Sequence, residues 1–175
     1  STSINKNDLI LLVKCAVICN DAKIALLQDD TIKMFGDTTE IALLIFAKKV
    51  GITKDELSNL YPRLREIPFT AERKMMTTFH HRSDKTKKEE YEVFAKGAPR
   101  VILNHCDRVL KDGRFLPLTD KIKDHIISIN HKIANDGLRV LAFATTTNNE
   151  VQIGKILTER NINNNNNNFL FLGLV

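Results

Sequence analysis

The chain has 175 residues, of which 43% are hydrophobic, and a formal net charge of +5. This length and apolar content predict a single domain over residues 1–175, and the apolar stretches are far shorter than the roughly 20 residues of a membrane-spanning helix, so we expect no direct membrane insertion. The 26 basic residues are interspersed with 21 acidic ones instead of clustering with aromatic residues, which disfavours a nucleic-acid-binding protein and favours a smaller anionic partner.

Two helices are predicted near the start of the chain. Apolar residues recur at helical spacing over Leu9–Cys19, with Asp8 as the expected cap. Asp37 or Thr38 is expected to cap a second helix that ends at about Val50.

A hairpin and a short helix are predicted next. Met75–Phe79 and Tyr91–Ala95 carry strand-forming residues on either side of a charged stretch, which predicts two paired strands joined by a solvated surface loop at residues 81–90. Pro99 is typical of a first helical position, so a helix is expected to follow the second strand.

A second hairpin precedes a longer helix. Arg108–Leu110 and Phe115–Leu116 flank Asp112-Gly113, which is a favoured two-residue hairpin turn. Thr119 and Asp120 are expected to cap a helix whose isoleucines follow helical spacing.

Two apolar strands and an asparagine run complete the chain. Gly137 is expected to release the chain into a buried strand at Leu138–Ala144, and Phe169–Val175 is apolar enough for another. The asparagine-rich segment at 161–168 cannot bury apolar surface, which predicts a surface loop of native or engineered origin. Together these elements predict an antiparallel sheet covered by helices.

Lys96 and Phe69 each have a structural and a ligand-binding interpretation. Lys96 follows a predicted strand and precedes Gly97. Alone it is most simply a solvated lysine, but beside a glycine its ammonium offers unhindered contact with a phosphate or the edge of a base. Phe69 is either a core residue or a stacking platform for an adenine ring, a contact worth about 1–3 kcal/mol.

Further charged residues are open to the same two interpretations. Arg73 and Lys74 are adjacent in a segment expected to be a strand, so they should point to opposite faces, and Lys74 is our choice for a pocket. Arg139 lies between two apolar residues, where it meets either a carboxylate in a salt bridge or an anionic ligand. Glu40 is explained as a favourable charge in the first turn of its helix, and a ligand role needs outside support.

The cysteines and histidines show neither a disulfide nor a metal-binding pattern. The three cysteines are odd in number and form no CxxC pair, although Cys15 and Cys19 have helical spacing. His80-His81 has no further ligand at a recognised distance in sequence. We therefore predict buried thiols, surface histidines, no metal site and a reducing, cytosolic setting.

Four segments are most informative in combination. They are Gly36–Glu40, Pro68–Met76, Lys96–Pro99 and Asp136–Ala142. In this order they resemble the nucleotide-binding domain of P-type cation pumps, whose patterns include Gly-Asp-x-Thr-Glu followed by Ala-Leu, Phe-x-x-x-Arg-Lys-Met, Lys-Gly-Ala-Pro and Gly-Leu-Arg-Val-Leu-Ala. The resemblance covers nearly the whole chain and is strongest to the calcium-pump branch.

The resemblance implies an α+β fold, with an antiparallel sheet of about six or seven strands flanked by helices, and a site for ATP. Matched by position, the implied ATP-binding residues are Glu40, Phe69, Lys74, Lys96, Gly97 and Arg139. Phe69 would stack on adenine and Glu40 would contact the base. Lys96 and Arg139 would steer the triphosphate, and Lys74 would be a further pocket lysine.

The resemblance also implies a division of labour within a longer pump. This chain would be a monomeric domain that holds ATP with near-millimolar affinity and presents it to an aspartate on a phosphorylation domain, beside an actuator domain of the same polypeptide, at the cytoplasmic face of a membrane. No catalytic residue is expected here, because the Thr-Gly-Asp and Gly-Asp-Gly-x-Asn-Asp segments that supply the magnesium site do not occur in the sequence. Magnesium is therefore expected only in the parent's phosphorylation site.

Three other functions are alternatives to ATP binding. Ala71 and Arg100 stand where the calcium pumps have an arginine and a glutamate, which is compatible with a non-binding regulatory or interaction domain whose pocket has decayed. A free-standing phosphohydrolase would need a nucleophilic Asp-x-Asp segment after an apolar strand, and the sequence has none. A nucleic-acid binder is favoured only by the basic charge.

Overall fold

The computed structural model describes residues 5–29, 31–81, 90–149 and 168–175. Most of the predicted loops at 81–90 and 161–168 lies outside these described residues. At their ends, residues 81 and 90 belong to strands and Asn168 is exposed. No helix within the described ranges is long and apolar enough to span a bilayer.

The first helix, α1, spans Lys6–Ile18, close to the predicted Leu9–Cys19. Its cap is Asn5, whose Oδ1 accepts the backbone N–H of Asn7 at 2.9 Å, so the predicted Asp8 cap is wrong. Asp8 lies inside the first turn, and its carboxylate instead accepts the backbone N–H of Gly113 at 3.1 Å. This contact ties the start of α1 to the distant Asp112-Gly113 turn.

A small hairpin and two helices follow α1. The hairpin pairs β1 (Lys23–Leu26) with β2 (Ile32–Phe35) in a separate two-stranded sheet. Helix α2 spans Thr38–Lys49, and its cap is Asp37, which confirms one of the two predicted caps. The short helix α3 spans Lys54–Leu60.

The main sheet has seven strands, which confirms the α+β fold and the predicted number of strands. Their spatial order is β3-β4-β5-β8-β9-β6-β7, and all neighbouring pairs are antiparallel except β6 and β9, which are parallel. Both predicted hairpins are present as β4–β5 and β6–β7. The strands are β3 (Arg63–Ile67), β4 (Met75–His81), β5 (Glu90–Gly97), β6 (Cys106–Lys111), β7 (Arg114–Pro117), β8 (Ala142–Asn149) and β9 (Phe169–Leu174).

Two helices in the second half of the chain begin at the residues that the sequence predicts. Helix α4 spans Pro99–Asn104 with the proline at its start, and α5 spans Asp120–Asn135 with Thr119 at its cap position. The backbone of the Asp112-Gly113 turn has positive φ at both residues, +52° and +75°, as this hairpin turn requires.

The predicted strand at Leu138–Ala144 is wrong over its first half. Strand β8 begins only at Ala142, which pairs with Gly97, the last residue of β5. Because β5 ends there and α4 begins at Pro99, residues 138–140 have no neighbouring strand to pair with. Leu138 is accordingly 62% exposed.

The main sheet separates two apolar cores because successive side chains of a strand face opposite sides. On β5, Val93 and Ala95 belong to the core that includes Ile102 of α4. Phe94 belongs to the core that includes Cys15 of α1. Lys96, two residues beyond Phe94, therefore faces the side of the sheet that α1 and α2 cover.

His80 is buried, which contradicts the predicted surface position. Its side chain is 1% exposed, its Nδ1 donates to the Tyr61 carbonyl oxygen at 3.0 Å, and its ring lies 5.6 Å from that of Phe94. Burial lowers the pKa of His80 to about 4, whereas an unfolded histidine has a pKa of about 6.5. The unfolded chain therefore binds a proton at pH values where the folded chain does not.

Acidification is expected to destabilise the fold through His80. Between pH 7 and about 4.5 this residue should lower the free energy of unfolding by about 2–3 kcal/mol, since the unfolded state is favoured by protonation below pH 6.5. Urea denaturation at both pH values checks this. His80→Gln should lose this part of the pH dependence, whereas the half-buried neighbour variant His81→Gln should retain it. Equal pH dependence in all three proteins would contradict the expectation.

Candidate functional site

Lys96 is buried at the end of β5, so its interpretation as a solvated lysine is wrong. It lies opposite Met76 of β4 and Phe143 of β8, and the residue is 6% exposed. Its ammonium forms an ion pair with Glu40 Oε1. Burial of a lysine among apolar side chains requires such a partner, because an isolated charge is strongly disfavoured there.

Glu40 is held from two sides in the first turn of α2. One carboxylate oxygen receives Lys96, and the other, Oε2, accepts the backbone N–H groups of Asp21 and Ala22 at 3.0 and 3.1 Å. The helix dipole is therefore not the only interaction that favours a carboxylate at this position. Its carboxylate links α2, the segment after α1 and the end of β5.

Arg139 is exposed, and the described salt bridges include none to it, so of its two interpretations the salt bridge has no support among the described residues. Its Nη1 donates to Thr39 Oγ1 at 3.1 Å, at the start of α2. The pKa of the nearby Asp37 carboxyl is lowered, mainly by hydrogen bonds from Thr39, and the charge of Arg139 contributes a smaller part. The Arg139 guanidinium therefore places a positive charge next to the first turn of α2, which also carries Glu40.

Lys74 does not lie on a strand, which corrects the alternation predicted for Arg73 and Lys74. Both precede β4 in a turn, and Lys74 has φ of +52° and an exposed side chain. Arg73 is the more buried of the two. Its Nη1 donates to the Pro68 carbonyl oxygen at 3.0 Å, whereas its Nε and Nη2 are buried without a hydrogen-bond partner.

Gly97 lets the loop formed by residues 68–74 approach the end of β5. The Lys74 carbonyl oxygen accepts the backbone N–H of Ala98 at 2.9 Å. A Cβ on Gly97 would collide with that carbonyl oxygen and would lie 2.8 Å from the Met75 Cα. The loop is also closed on itself, since the Lys74 backbone N–H donates to the Thr70 carbonyl oxygen at 2.8 Å.

Phe69 lies in this loop and is 57% exposed, so its interpretation as a core residue is wrong. Pro68 before it and Thr70 after it are exposed as well. An exposed aromatic ring on a hydrogen-bonded loop is available for stacking on a flat ligand.

The structure joins most of the predicted site residues through α2 and the end of β5. Glu40 pairs with Lys96, and Arg139 contacts the residue before Glu40. The loop that carries Phe69 and Lys74 is anchored by the backbone N–H of Ala98 and packs closely on Gly97. The described contacts do not include one between the side chains of Phe69 or Lys74 and Lys96 or Arg139.

Other contributors were not predicted as site residues. Thr39 and the segment Asn20–Ala22 hold Arg139 and Glu40, respectively. Thr39 lies within the Gly36–Glu40 segment, whereas none of the sequence patterns above marks Asn20–Ala22 as part of a site. The described residues contain no cluster of three or more His, Cys, Asp or Glu side chains that would suit a metal ion.

A cavity of about 220 Å³ lies beside this segment, and Glu40 is not among its lining residues. Its lining includes Asn20, Asp21, Lys54, Arg63 and His80 but none of the predicted site residues. The candidate site is instead an open surface with one exposed ring and charges around it, which suits a ligand that stacks on a ring and carries negative charge.

Comparison with known proteins gives a family match and several relatives. The family model described as "P-type ATPase, cytoplasmic domain N" matches residues 8–175. The chain is 33% identical to calcium-transporting ATPase 1 of Lactococcus lactis over 91% of this chain and 17% of that protein. It is 33% identical to calcium-transporting ATPase 1 of Bacillus cereus, with 99% and 18% covered, and 36% identical to a calcium-transporting ATPase of Listeria monocytogenes, with 75% and 14% covered. The chain thus spans about a sixth of the length of these relatives.

Proposed function

Because the chain belongs to the family of cytoplasmic N domains of P-type ATPases, we propose that it binds ATP and presents the terminal phosphate to a phosphorylation domain of a longer polypeptide. The observation that carries this proposal is the arrangement of one exposed aromatic ring, Phe69, beside a strand end where Lys96 and Glu40 are fixed and Arg139 is exposed. The domain itself contributes binding and orientation.

Phe69 is proposed to stack on the adenine ring. Its exposure supports this role, because a base can reach the ring without displacing core side chains. Glu40 is proposed to read the edge of the base. Its carboxylate accepts two backbone N–H groups and the Lys96 ammonium, so it is fixed in direction before any ligand arrives.

Lys96 and Arg139 are proposed to steer the triphosphate. Lys96 is held by a carboxylate and would share its ammonium between Glu40 and the ligand. Arg139 has only a hydroxyl partner, Thr39, among the described hydrogen bonds, so a phosphate would offer it a stronger, charge-assisted one. Lys74 is exposed and would contribute a weaker, solvent-screened attraction.

The proposed whole protein is a cation-transporting ATPase of the calcium type, as the names of the Lactococcus, Bacillus and Listeria relatives suggest. In it, this domain would lie at the cytoplasmic face of the membrane and act with phosphorylation and actuator domains of the same chain. Magnesium would be needed at the phosphorylation site, where an aspartate accepts the phosphoryl group, and not for binding of ATP by this domain. The isolated domain is expected to be a monomer without turnover of its own.

Phe69→Ala is expected to weaken ATP binding by about 5- to 150-fold, which corresponds to the loss of about 1–3 kcal/mol of stacking. Because Phe69 is 57% exposed, the free energy of unfolding should change little. Heteronuclear NMR titration with ATP and urea denaturation measure the two effects separately.

Phe115→Ala is the matched control for this experiment. Phe115 is 61% exposed and lies on β7, at the opposite end of the sheet order from β3, which precedes the Phe69 loop. Its removal should leave the ATP affinity unchanged. Equal affinities for the unmodified chain and the Phe69→Ala variant would contradict a stacking role, and no binding by either would favour a regulatory domain with a decayed pocket.

A further inference from the structure

The Asn20 turn, residues Asn20–Ala22, is hydrogen-bonded to Glu40. Asn20 is fully buried, and its side chain fixes the turn: Nδ2 donates to the carbonyl oxygens of Ala16 and Glu40 at 3.2 and 3.0 Å, and Oδ1 accepts the backbone N–H of Ala22 at 2.8 Å. The backbone N–H groups of Asp21 and Ala22 consequently point at Glu40 Oε2. The carboxylate direction thus depends on the orientation of two peptide groups.

The carbonyl side of one of these peptide groups, Asn20–Asp21, is held by two cations. Lys54 Nζ donates to the carbonyl oxygens of Asn20 and Ala22 at 2.6 and 2.8 Å. Arg63 Nη2 donates to the Asn20 carbonyl oxygen at 2.9 Å. The Asn20 carbonyl and the Asp21 N–H belong to one peptide group, so a cation on the oxygen polarises the N–H that Glu40 receives and strengthens that hydrogen bond.

The hydrogen bonds described for Lys54 are the two to these carbonyl oxygens. Arg63 also pairs with the carboxylates of Asp21 and Glu66, whereas the described salt bridges include none to Lys54. Lys54 is the first residue of α3, where the helix dipole disfavours a positive charge. It is half-buried, and its pKa is lowered, chiefly by burial and then by the charge of Arg63. The two carbonyl contacts are the interactions that compensate for this placement.

We propose that Lys54 is a positioning residue of the nucleotide site, which orients the Glu40 carboxylate through the N–H group of Asp21. The inference rests on the proposed function, since Glu40 is a ligand contact only if the domain binds ATP. Lys54 itself does not touch the ligand. It lines the cavity beside the turn and lies 14 positions after Glu40 in sequence.

Lys54→Met tests the proposal, because methionine keeps an unbranched apolar stem and loses the ammonium. In the ligand-free protein, the amide proton signal of Asp21 is expected to move upfield as its hydrogen bond to Glu40 weakens. The Ala22 signal should move less, because its N–H also donates to Asn20 Oδ1 and Lys54 does not contact its peptide group. ATP binding should weaken by about 3- to 10-fold, as expected for the loss of one or two hydrogen bonds. The preference for ATP over GTP should fall too, because Glu40 is the proposed base contact.

Two further variants separate positioning from a general effect of charge. Lys49→Met makes the same substitution at an exposed lysine of α2 and should leave both amide signals and the ATP preference unchanged. Lys54→Arg retains a cation with several donors and should restore both. Lys54→Gln keeps one donor and replaces the methionine variant if that variant does not fold.

The outcomes decide the proposal whether or not ATP binds. An unchanged Asp21 amide signal in Lys54→Met, or an Asp21 signal that Lys54→Arg fails to restore, would overturn the positioning role. If the unmodified chain does not bind ATP, the proposed function fails, while the amide signals still show whether Lys54 orients the turn. The positioning role would also be overturned if the Asp21 amide signal changes in Lys54→Met while the ratio of ATP to GTP affinity does not.

Discussion

Lys96→Met is expected to abolish measurable ATP binding and to lower the free energy of unfolding by about 3–5 kcal/mol, the cost of leaving one partner of a buried ion pair uncompensated. The Glu40 carboxylate would keep only the N–H groups of Asp21 and Ala22 as partners while remaining mostly buried. Urea denaturation and ATP titration measure the two losses.

Lys14→Met is the matched control, because Lys14 and Glu92 form a similarly buried ion pair at 2.7 Å outside the proposed site. This control should lower the stability but leave the ATP affinity of the folded protein unchanged. The double variant Lys96→Met with Glu40→Gln should recover part of the stability without recovering ATP binding. A Lys96→Met protein that binds ATP as the unmodified chain does would contradict the proposed role of Lys96.

Gly97→Ala is expected to lower the free energy of unfolding by about 1–3 kcal/mol or more, because a methyl group is forced into a filled space. The added Cβ would collide with the Lys74 carbonyl oxygen and would lie 2.8 Å from the Cα and Cβ of Met75. These atoms belong to the backbone or are bonded directly to it, so a change of side-chain rotamer cannot relieve the contact. Relief requires the end of the loop 68–74 to move. ATP binding should weaken as Phe69 moves with that loop.

Gly51→Ala is the control for Gly97→Ala. Gly51 has φ of +79° but nothing within 4 Å of an added Cβ. Gly51→Ala should therefore lower the free energy of unfolding by about 1–2 kcal/mol, because alanine disfavours a positive φ. It should not affect ATP binding, since it lies after α2, away from the loop. If Gly97→Ala were as stable as the unmodified chain, the close approach of Lys74 to the strand end would not be a constraint on the fold.

The predictable parts of the fold were those with a strong local pattern. Helix α1 has apolar residues at helical spacing, and the Asp112-Gly113 turn has the residues that positive φ requires. The hairpin β1–β2 and helix α3 were not predicted, because β2 is exposed at every residue and α3 buries none of its residues. The parallel pairing of β6 with β9 depends on which strands meet in space, which no local pattern specifies.

The candidate site was predictable only as a resemblance. Lys96 and Glu40 are 56 residues apart, and Arg139 and Thr39 are 100 apart, so composition and periodicity cannot bring them together. Generic burial preferences predicted the opposite of what is found for two residues: Lys96 is buried, whereas Phe69 is exposed. Residues at a binding site commonly violate such preferences, because they serve a ligand and not the core.

The most direct test of ATP binding is a heteronuclear NMR titration of the unmodified chain with ATP in the absence of magnesium, with GTP as the control for the base. We expect shifts centred on Glu40, Phe69, Lys96 and Arg139 that saturate with a dissociation constant of about 1 mM, and weaker shifts with GTP. No shifts of these residues up to about 10 mM ATP, roughly ten times the expected dissociation constant, would contradict the proposal that this domain holds the nucleotide.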